Sequence, residues 1–178
     1  MSRGLGDVYK RQVRLADYVV AIDKGSVVAH GDVAEMLSSN KYTLAINRDA
    51  CSIVNATVSQ IDKALQIVEA TSHSGCRFQF TGAARAQLGD SIRLQIYAKD
   101  VSVTLSKPSK TSILNIIPAQ ITQIKLIDKG YAVVTLNCSG ERILARITQK
   151  SVRELALTIG HHVFAQIKGV ALLSDSTR

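Results

Sequence analysis

The sequence predicts a mainly β protein, with two small OB-like five-stranded barrels preceded by a β-hairpin and a helix. Two observations lead to this. The first is an internal repeat. Ile53-Val54-Asn55-Ala56-Thr57-Val58-Ser59-Gln60-Ile61 matches Ile116-Ile117-Pro118-Ala119-Gln120-Ile121-Thr122-Gln123-Ile124 in its apolar, small and Gln positions at an offset of 63, from 53 to 116. Gly89-Asp90-Ser91-Ile92-Arg93-Leu94-Gln95-Ile96 matches Gly160-His161-His162-Val163-Phe164-Ala165-Gln166-Ile167 at an offset of 71, from 89 to 160. The order of segments is kept and the offset grows by insertion. The second is that each copy holds several short β-rich runs within about 60 residues, the size of a small barrel rather than a solenoid unit.

Within the first copy the strands are expected near Ile53 to Ile61, Ala64 to Ala70, Cys76 to Phe80, Ser91 to Tyr97 and Val101 to Leu105, where apolar residues alternate or are β-branched. Gly82 to Leu88 reads as a turn or short helix. Ser106 to Lys110 links the copies, with Pro108 stopping the strand before it. The second copy has strands near Ile116 to Ile127, Tyr131 to Asn137, Arg142 to Ile147, His162 to Lys168 and Val170 to Ser174. Ser151 and Glu154 are spaced as a capping box for a helix through Val152, Leu155 and Ala156. The barrels are bounded at residues 51–107 and 108–178.

The N-terminal third is different. Residues 1–12 show no amphipathic period and resemble translated adapter sequence, so they are set aside from fold reasoning. Tyr18-Val19-Val20-Ala21-Ile22, Lys24-Gly25 and Ser26-Val27-Val28-Ala29 read as strand, turn and strand. His30 then falls in a turn, and Asp32 with Glu35 would cap a helix through Val33, Met36 and Leu37. Residues 13–40 are similar to the last part of an ABC ATPase domain, the segment after its switch histidine. A hairpin with one helix buries too little to stand alone. Residues 41–50 are a linker.

Composition narrows the class. The 178 residues are 46% hydrophobic, with a formal net charge of +8, of which Arg3, Lys10 and Arg11 against Asp7 supply +2. That balance fits a globular chain with a core. There is no apolar run near the roughly 20 residues of a membrane span and no evident signal peptide, so a cytoplasmic location is expected. Cys51, Cys76 and Cys138 are odd in number and lack a Cys-x-x-Cys pair, which suggests buried free thiols. His161 and His162 are adjacent on an expected strand and point to opposite faces, so no metal site is expected.

The seam between the copies, Lys110-Thr111-Ser112-Ile113-Leu114-Asn115, sets compact hydroxyl and amide donors before a strand, a pattern that serves a turn or, with exposed backbone N–H groups, an anion. Ala98-Lys99-Asp100-Val101-Ser102-Val103, Thr111-Ser112-Ile113-Leu114-Asn115, Leu144-Ala145-Arg146-Ile147-Thr148, Arg153-Glu154-Leu155 and Ala165-Gln166-Ile167-Lys168 follow one another in an order that resembles the paired molybdate-binding (Mop, or TOBE) modules at the C-terminus of molybdate-import ABC transporter ATPases. The resemblance covers residues from about Ser52 to Leu173. The family pattern at the seam reads Thr-Ser-X-Arg-Asn, and here Leu114 stands where Arg is expected.

The resemblance implies an oxyanion site of Thr111, Ser112 and Asn115 with Lys168 and Gly169, molybdate or tungstate as ligand, and no cofactor in this chain. It also implies a homodimer through the barrels, a membrane permease as partner of the full-length protein, and a place at the inner face of the cell membrane. The chain itself shows no phosphate-binding Gly-rich loop, signature or acidic strand end, so ATP and Mg²⁺ belong to a longer parent and this part is not expected to be an enzyme. Related modules on importers of sugars or sulfate-type anions are the alternative reading. An OB-type nucleic-acid module is a third, but with 4% aromatics, no Trp, and Phe78, Phe80 and Phe164 on core-like runs there is no stacking platform, and no nucleic acid is expected.

Overall fold

The computed structural model describes residues 18–23, 26–32, 50–82, 86–127 and 130–175. The N-terminal strands β1 (Tyr18–Asp23) and β2 (Ser26–Asp32) form an antiparallel hairpin. His30, expected in a turn, is a residue of β2 opposite Val20, and its Nδ1 shares a 2.7 Å hydrogen bond with the Tyr18 hydroxyl. The strand runs on because its pairing with β1 continues to Asp32. The segment 1–12, the expected helix after Asp32 and nearly all of the linker lie outside the described residues.

Ten further strands follow: β3 (Cys51–Asp62), β4 (Ile67–Ser72), β5 (Arg77–Thr81), β6 (Ser91–Tyr97), β7 (Val101–Thr104), β8 (Asn115–Ile127), β9 (Tyr131–Cys138), β10 (Glu141–Thr148), β11 (His162–Ile167) and β12 (Ala171–Asp175). They make two curled five-stranded sheets, ordered β12-β6-β3-β4-β5 and β10-β9-β8-β11-β7. Inward residues of both sheets share one core, with Phe78, Leu94, Ile96, Leu136, Ile143 and Ile167 among its most buried side chains. Alternate positions point to one face of a strand, so the period-two runs bury one row each.

The repeat seen in the sequence is also a repeat of register. Ile53 pairs with Gln95, and Ile116, 63 residues on, pairs with Gln166, which is 71 beyond Gln95. The β3–β4 ladder slips between Val58 and Gln60, and the β8–β9 ladder slips between Ile121 and Gln123, so both bulges fall at equivalent places. Loop bonds match as well: Val58 N donates to Asp90 O, and Ile121 N donates to His161 O, each at 2.9 Å.

The two sheets exchange their last strands. After β6 a 3-10 turn, Ala98–Asp100, carries the chain across, and β7 pairs with β11 of the second sheet. The return is made by β12, which pairs with β6 of the first. Hydrogen bonding therefore crosses the expected boundary at 107/108. The reason is local: Lys168 N donates to Asp100 O at 2.9 Å, which sets β7 alongside β11 before the linker is reached.

A second reciprocal contact joins the halves. Asn115 Oδ1 accepts from Gln79 N at 2.7 Å and its Nδ2 donates to Gln79 O at 2.8 Å. Ser52, at the repeat position of Asn115, accepts from Leu144 N at 2.9 Å. Gln79 and Leu144 lie on β5 and β10, strands that end their sheets, so each half covers the unpaired edge of the other. Where the hairpin turns meet, Ser74 donates to Glu141 Oε1 at 2.6 Å, and Gly140 has φ 99° with Ser74 Cβ only 3.1 Å from where a Cβ would stand. Only glycine meets both demands there.

Helix α1 (Gln149–Glu154) begins earlier than the spacing of Ser151 and Glu154 suggested. Thr148 is its N-cap, accepting from Ser151 N at 3.0 Å, while Ser151 sits inside the first turn and meets the Thr148 hydroxyl at 2.8 Å. Thr148 is still extended, as the last residue of β10, and a cap residue must be.

Strand exchange makes a specific expectation for a chain ended after Val170. Loss of β12 should raise hydrogen exchange in β6 of the first sheet and leave β11 protected. Faster exchange in β11 with β6 unchanged would contradict the exchanged topology.

Candidate functional site

The seam approaches β8 through a loop in which Lys110 has φ 56° and Thr111 Oγ1 accepts from Ile113 N at 3.2 Å, a short hydroxyl-braced turn. Thr111, Ser112 and Leu114 are exposed, and Asn115 is buried. Pro118 is tolerated within β8 because pairing with β9 begins only at Gln120, leaving Pro118 with β11 as its one neighbour.

Lys168 and the seam are brought to the same end of the β8–β11 pair. Ile167 lies opposite Asn115, so Lys168 follows it one step on, beside Leu114 in register. Its side chain is exposed. Of the five expected ligands, Thr111, Ser112 and Lys168 present accessible groups at this end.

Asn115 and Gly169 have other surroundings. Both functional atoms of the Asn115 amide are taken by the Gln79 backbone, so in this chain the residue joins sheets. A Cβ on Gly169 would stand 3.5 Å from Asp100 Oδ2, an ordinary contact, so neither space nor a left-handed φ demands glycine there. Asp100, which composition and motif reading passed over, puts a carboxylate next to the glycine expected to face an anion. Ser52 was also passed over as a partner in the fold. The offset of 63 that pairs it with Asn115 was the available signal.

Leu114 faces neither core nor partner strand. It is 55% exposed and lines a cleft of about 260 Å³ with Gln60, Asp62, Leu65, Ile67, Glu69 and Gln79. Glu69 is held there by Gln79 Nε2 at 3.1 Å. An arginine at 114 would find two carboxylates in reach of the same cleft.

Cys51, Cys76 and Cys138 are buried and are in no disulfide among the described residues. Burial, aided by the Glu141 carboxylate, pushes the Cys76 thiol up to about 11. Burial first, then Cys76 and Glu141, pushes Cys138 up to about 12. Neither thiol is a nucleophile at neutral pH, since the thiolate is the reactive form. His161 and His162 are both exposed, and among the described residues no three His, Cys, Asp or Glu side chains gather as metal ligands.

Residues 111–173 match the TOBE domain, and the match begins at the seam. Over most of its length the chain is similar to proteins named molybdenum import ATP-binding protein ModC. It is 37% identical over 160 residues to the ModC protein of Albidiferax ferrireducens, covering 90% of this chain and 43% of that one. It is 34% identical over 160 residues to that of Aromatoleum aromaticum, covering 90% and 42%. The chain thus spans less than half the length of these relatives. The fold is shared with a solved structure described as the cytoplasmic molybdate-binding protein ModG with molybdate bound, at a TM-score of 0.62 and 22% identity, covering 68% of this chain and 94% of that one. No helix among the described residues is long and apolar enough to cross a membrane.

Two outcomes test this geometry. Asn115→Ala should lower stability to urea by about 1 to 3 kcal/mol, the cost of stranding a half-buried backbone donor and acceptor at Gln79. Equal stability in Asn115→Ala and wild type would remove the clamp. The raised thiols favour the folded state fully below pH 9.0 and lose that contribution as pH rises through about 11 to 12. A Cys76→Ala/Cys138→Ala protein should therefore lose less stability than wild type between these limits; an equally steep decline in both would contradict the assignment.

Proposed function

We propose that this chain is the regulatory oxyanion-binding part of the ATP-binding subunit of a molybdate ABC importer. The observation that carries the reading is homology to molybdenum import ATP-binding proteins over 90% of the chain. The TOBE match from Thr111 onward and the molybdate-binding protein of like fold support it. Nucleotide chemistry belongs to the remainder of a longer parent, which would bind ATP and Mg²⁺, contact a membrane permease and work at the cytoplasmic face of the membrane.

The physical role of the seam follows from what a doubly charged oxyanion needs: several convergent donors and a cation, with charge-assisted bonds the strongest. Lys168 supplies the cation, and Thr111 and Ser112 supply hydroxyls. Asn115 keeps the seam in place through Gln79 and leaves anion contact to its neighbours. Three accessible groups with the Asp100 carboxylate nearby make an incomplete shell, so a second copy of the chain, meeting the first at this end, would complete it. Tungstate has the same charge and shape and is expected to share the site.

Thermal shift and calorimetry test the proposal. Molybdate at about 100 times its Kd should stabilise by roughly 2.7 kcal/mol. Lys168→Ala should lose nearly all of that gain, and sedimentation should show a dimer in the presence of molybdate. Leu114→Arg should fold, because position 114 is exposed, and bind up to about 10-fold more tightly, part of the gain being diverted to Glu69 and Asp62. A monomer with no molybdate-dependent shift at any concentration would reject the reading.

A further inference from the structure

The bulge of the second half builds a cleft on the outer face of its sheet, and the first half repeats the backbone frame of that cleft. In the second half Thr122, Gln123, Leu136, Asn137, Gly140 and Arg142 line a cleft of about 400 Å³. Neighbouring residues of a regular strand point to opposite faces, and it is the slip between Ile121 and Gln123 that lets Thr122 and Gln123 line one cleft. The register of the first half puts Ser59, Gln60, Thr71, Gly75 and Arg77 at the corresponding places: Thr71 lies opposite Arg77 as Asn137 lies opposite Arg142. Even the hydroxyl bonds repeat, Ser59 Oγ donating to Glu69 O and Thr122 Oγ1 to Thr135 O, each at 3.2 Å.

The copies differ in charge. Glu69 reaches Arg77 at 4.0 Å, so the arginine of the first half carries its own counterion. Thr135, a neutral residue, stands in the position of Glu69, and Arg142 has no ion pair among the described residues. The nearest acid in sequence, Glu141, points the other way along the strand alternation and is held by Ser74. Asn137 Oδ1 accepts from Gly140 N at 2.8 Å, which turns its Nδ2 outward as a donor. A guanidinium fork with a nearby amide donor and no carboxylate suits a small tetrahedral oxyanion.

We infer that the Arg142 cleft is a second oxyanion site, separate from the seam, and that its counterpart at Arg77 is closed by Glu69. The site stands on Arg142 and Asn137 and does not depend on the regulatory reading of the seam. Its occupant is a free doubly charged oxyanion of the phosphate, sulfate or molybdate kind, held from one side in an open cleft and so expected to bind at millimolar concentrations.

The experiment is an amide-resolved NMR titration with inorganic phosphate and then molybdate, at ionic strength matched with chloride, in a Lys168→Ala background so that seam binding does not mask the result. Saturable shifts at Thr122, Gln123, Asn137 and Arg142, with none at Ser59 and Arg77, are expected. Arg142→Gln should weaken them at least about tenfold. Glu69→Gln should bring equivalent shifts to Ser59, Gln60 and Arg77. Unchanged shifts in Arg142→Gln, equal response of both clefts in the Lys168→Ala protein, or no saturable response to either anion would each overturn the inference, and none of these outcomes bears on binding at Lys168.

Discussion

The reciprocal hold of each half on the other's edge strand is the constraint on which the rest depends. β5 and β10 end their sheets and would expose a row of unpaired backbone groups. Asn115 closes one such edge at Gln79 and Ser52 closes the other at Leu144, while β7 and β12 change sheets. Neither half has a complete sheet or a covered edge without its counterpart. A core that spans both sheets is the consequence.

This arrangement also fixes the seam between the repeats. Ordinary linkers are exposed and loosely held. Here the linker ends in a residue whose amide is fixed by two bonds to another sheet, and β11, which Lys168 directly follows, is bonded to both β8 and β7. The exposed hydroxyls of Thr111 and Ser112 and the exposed Lys168 therefore border backbone that is held in place. Along a few residues of chain Asn115 holds the seam, while Thr111 and Ser112 are exposed.

Internal symmetry in this protein is closer in backbone than in charge. Registers, bulges and turn bonds coincide, but Tyr97 stands where Lys168 stands, and Thr135 where Glu69 stands. Ladder hydrogen bonds tolerate almost any outward side chain, so duplicated strands keep their pairing while their surfaces diverge. Two copies of one scaffold thus present unequal surfaces, both beside the seam and at the bulges.

Much of the architecture was legible in the sequence. Ten strands of the paired half-barrels fall close to their expected positions, because alternation of apolar residues is a local pattern and the repeat doubles its signal. The seam and Lys168 were marked by motif, and their meeting at one end of β8 and β11 follows from the register. The local pattern failed where local groups compete: at α1 the choice between Thr148 and Ser151 as cap turned on where β10 stops pairing.

What the sequence determined by itself is therefore the β class, the duplication, the strand positions and the family resemblance, all of which are written in short stretches of chain. Only the tertiary structure decided which sheet β7 and β12 join, that Asn115 is a clamp, that Asp100 lies beside Gly169, and that Glu69 reaches Arg77. These depend on contacts between distant residues: Asn115 and Gln79 are 36 positions apart, Ser52 and Leu144 are 92. A hydrogen bond across such a distance leaves no period or spacing in the sequence, because its partner is chosen by how the sheets pack.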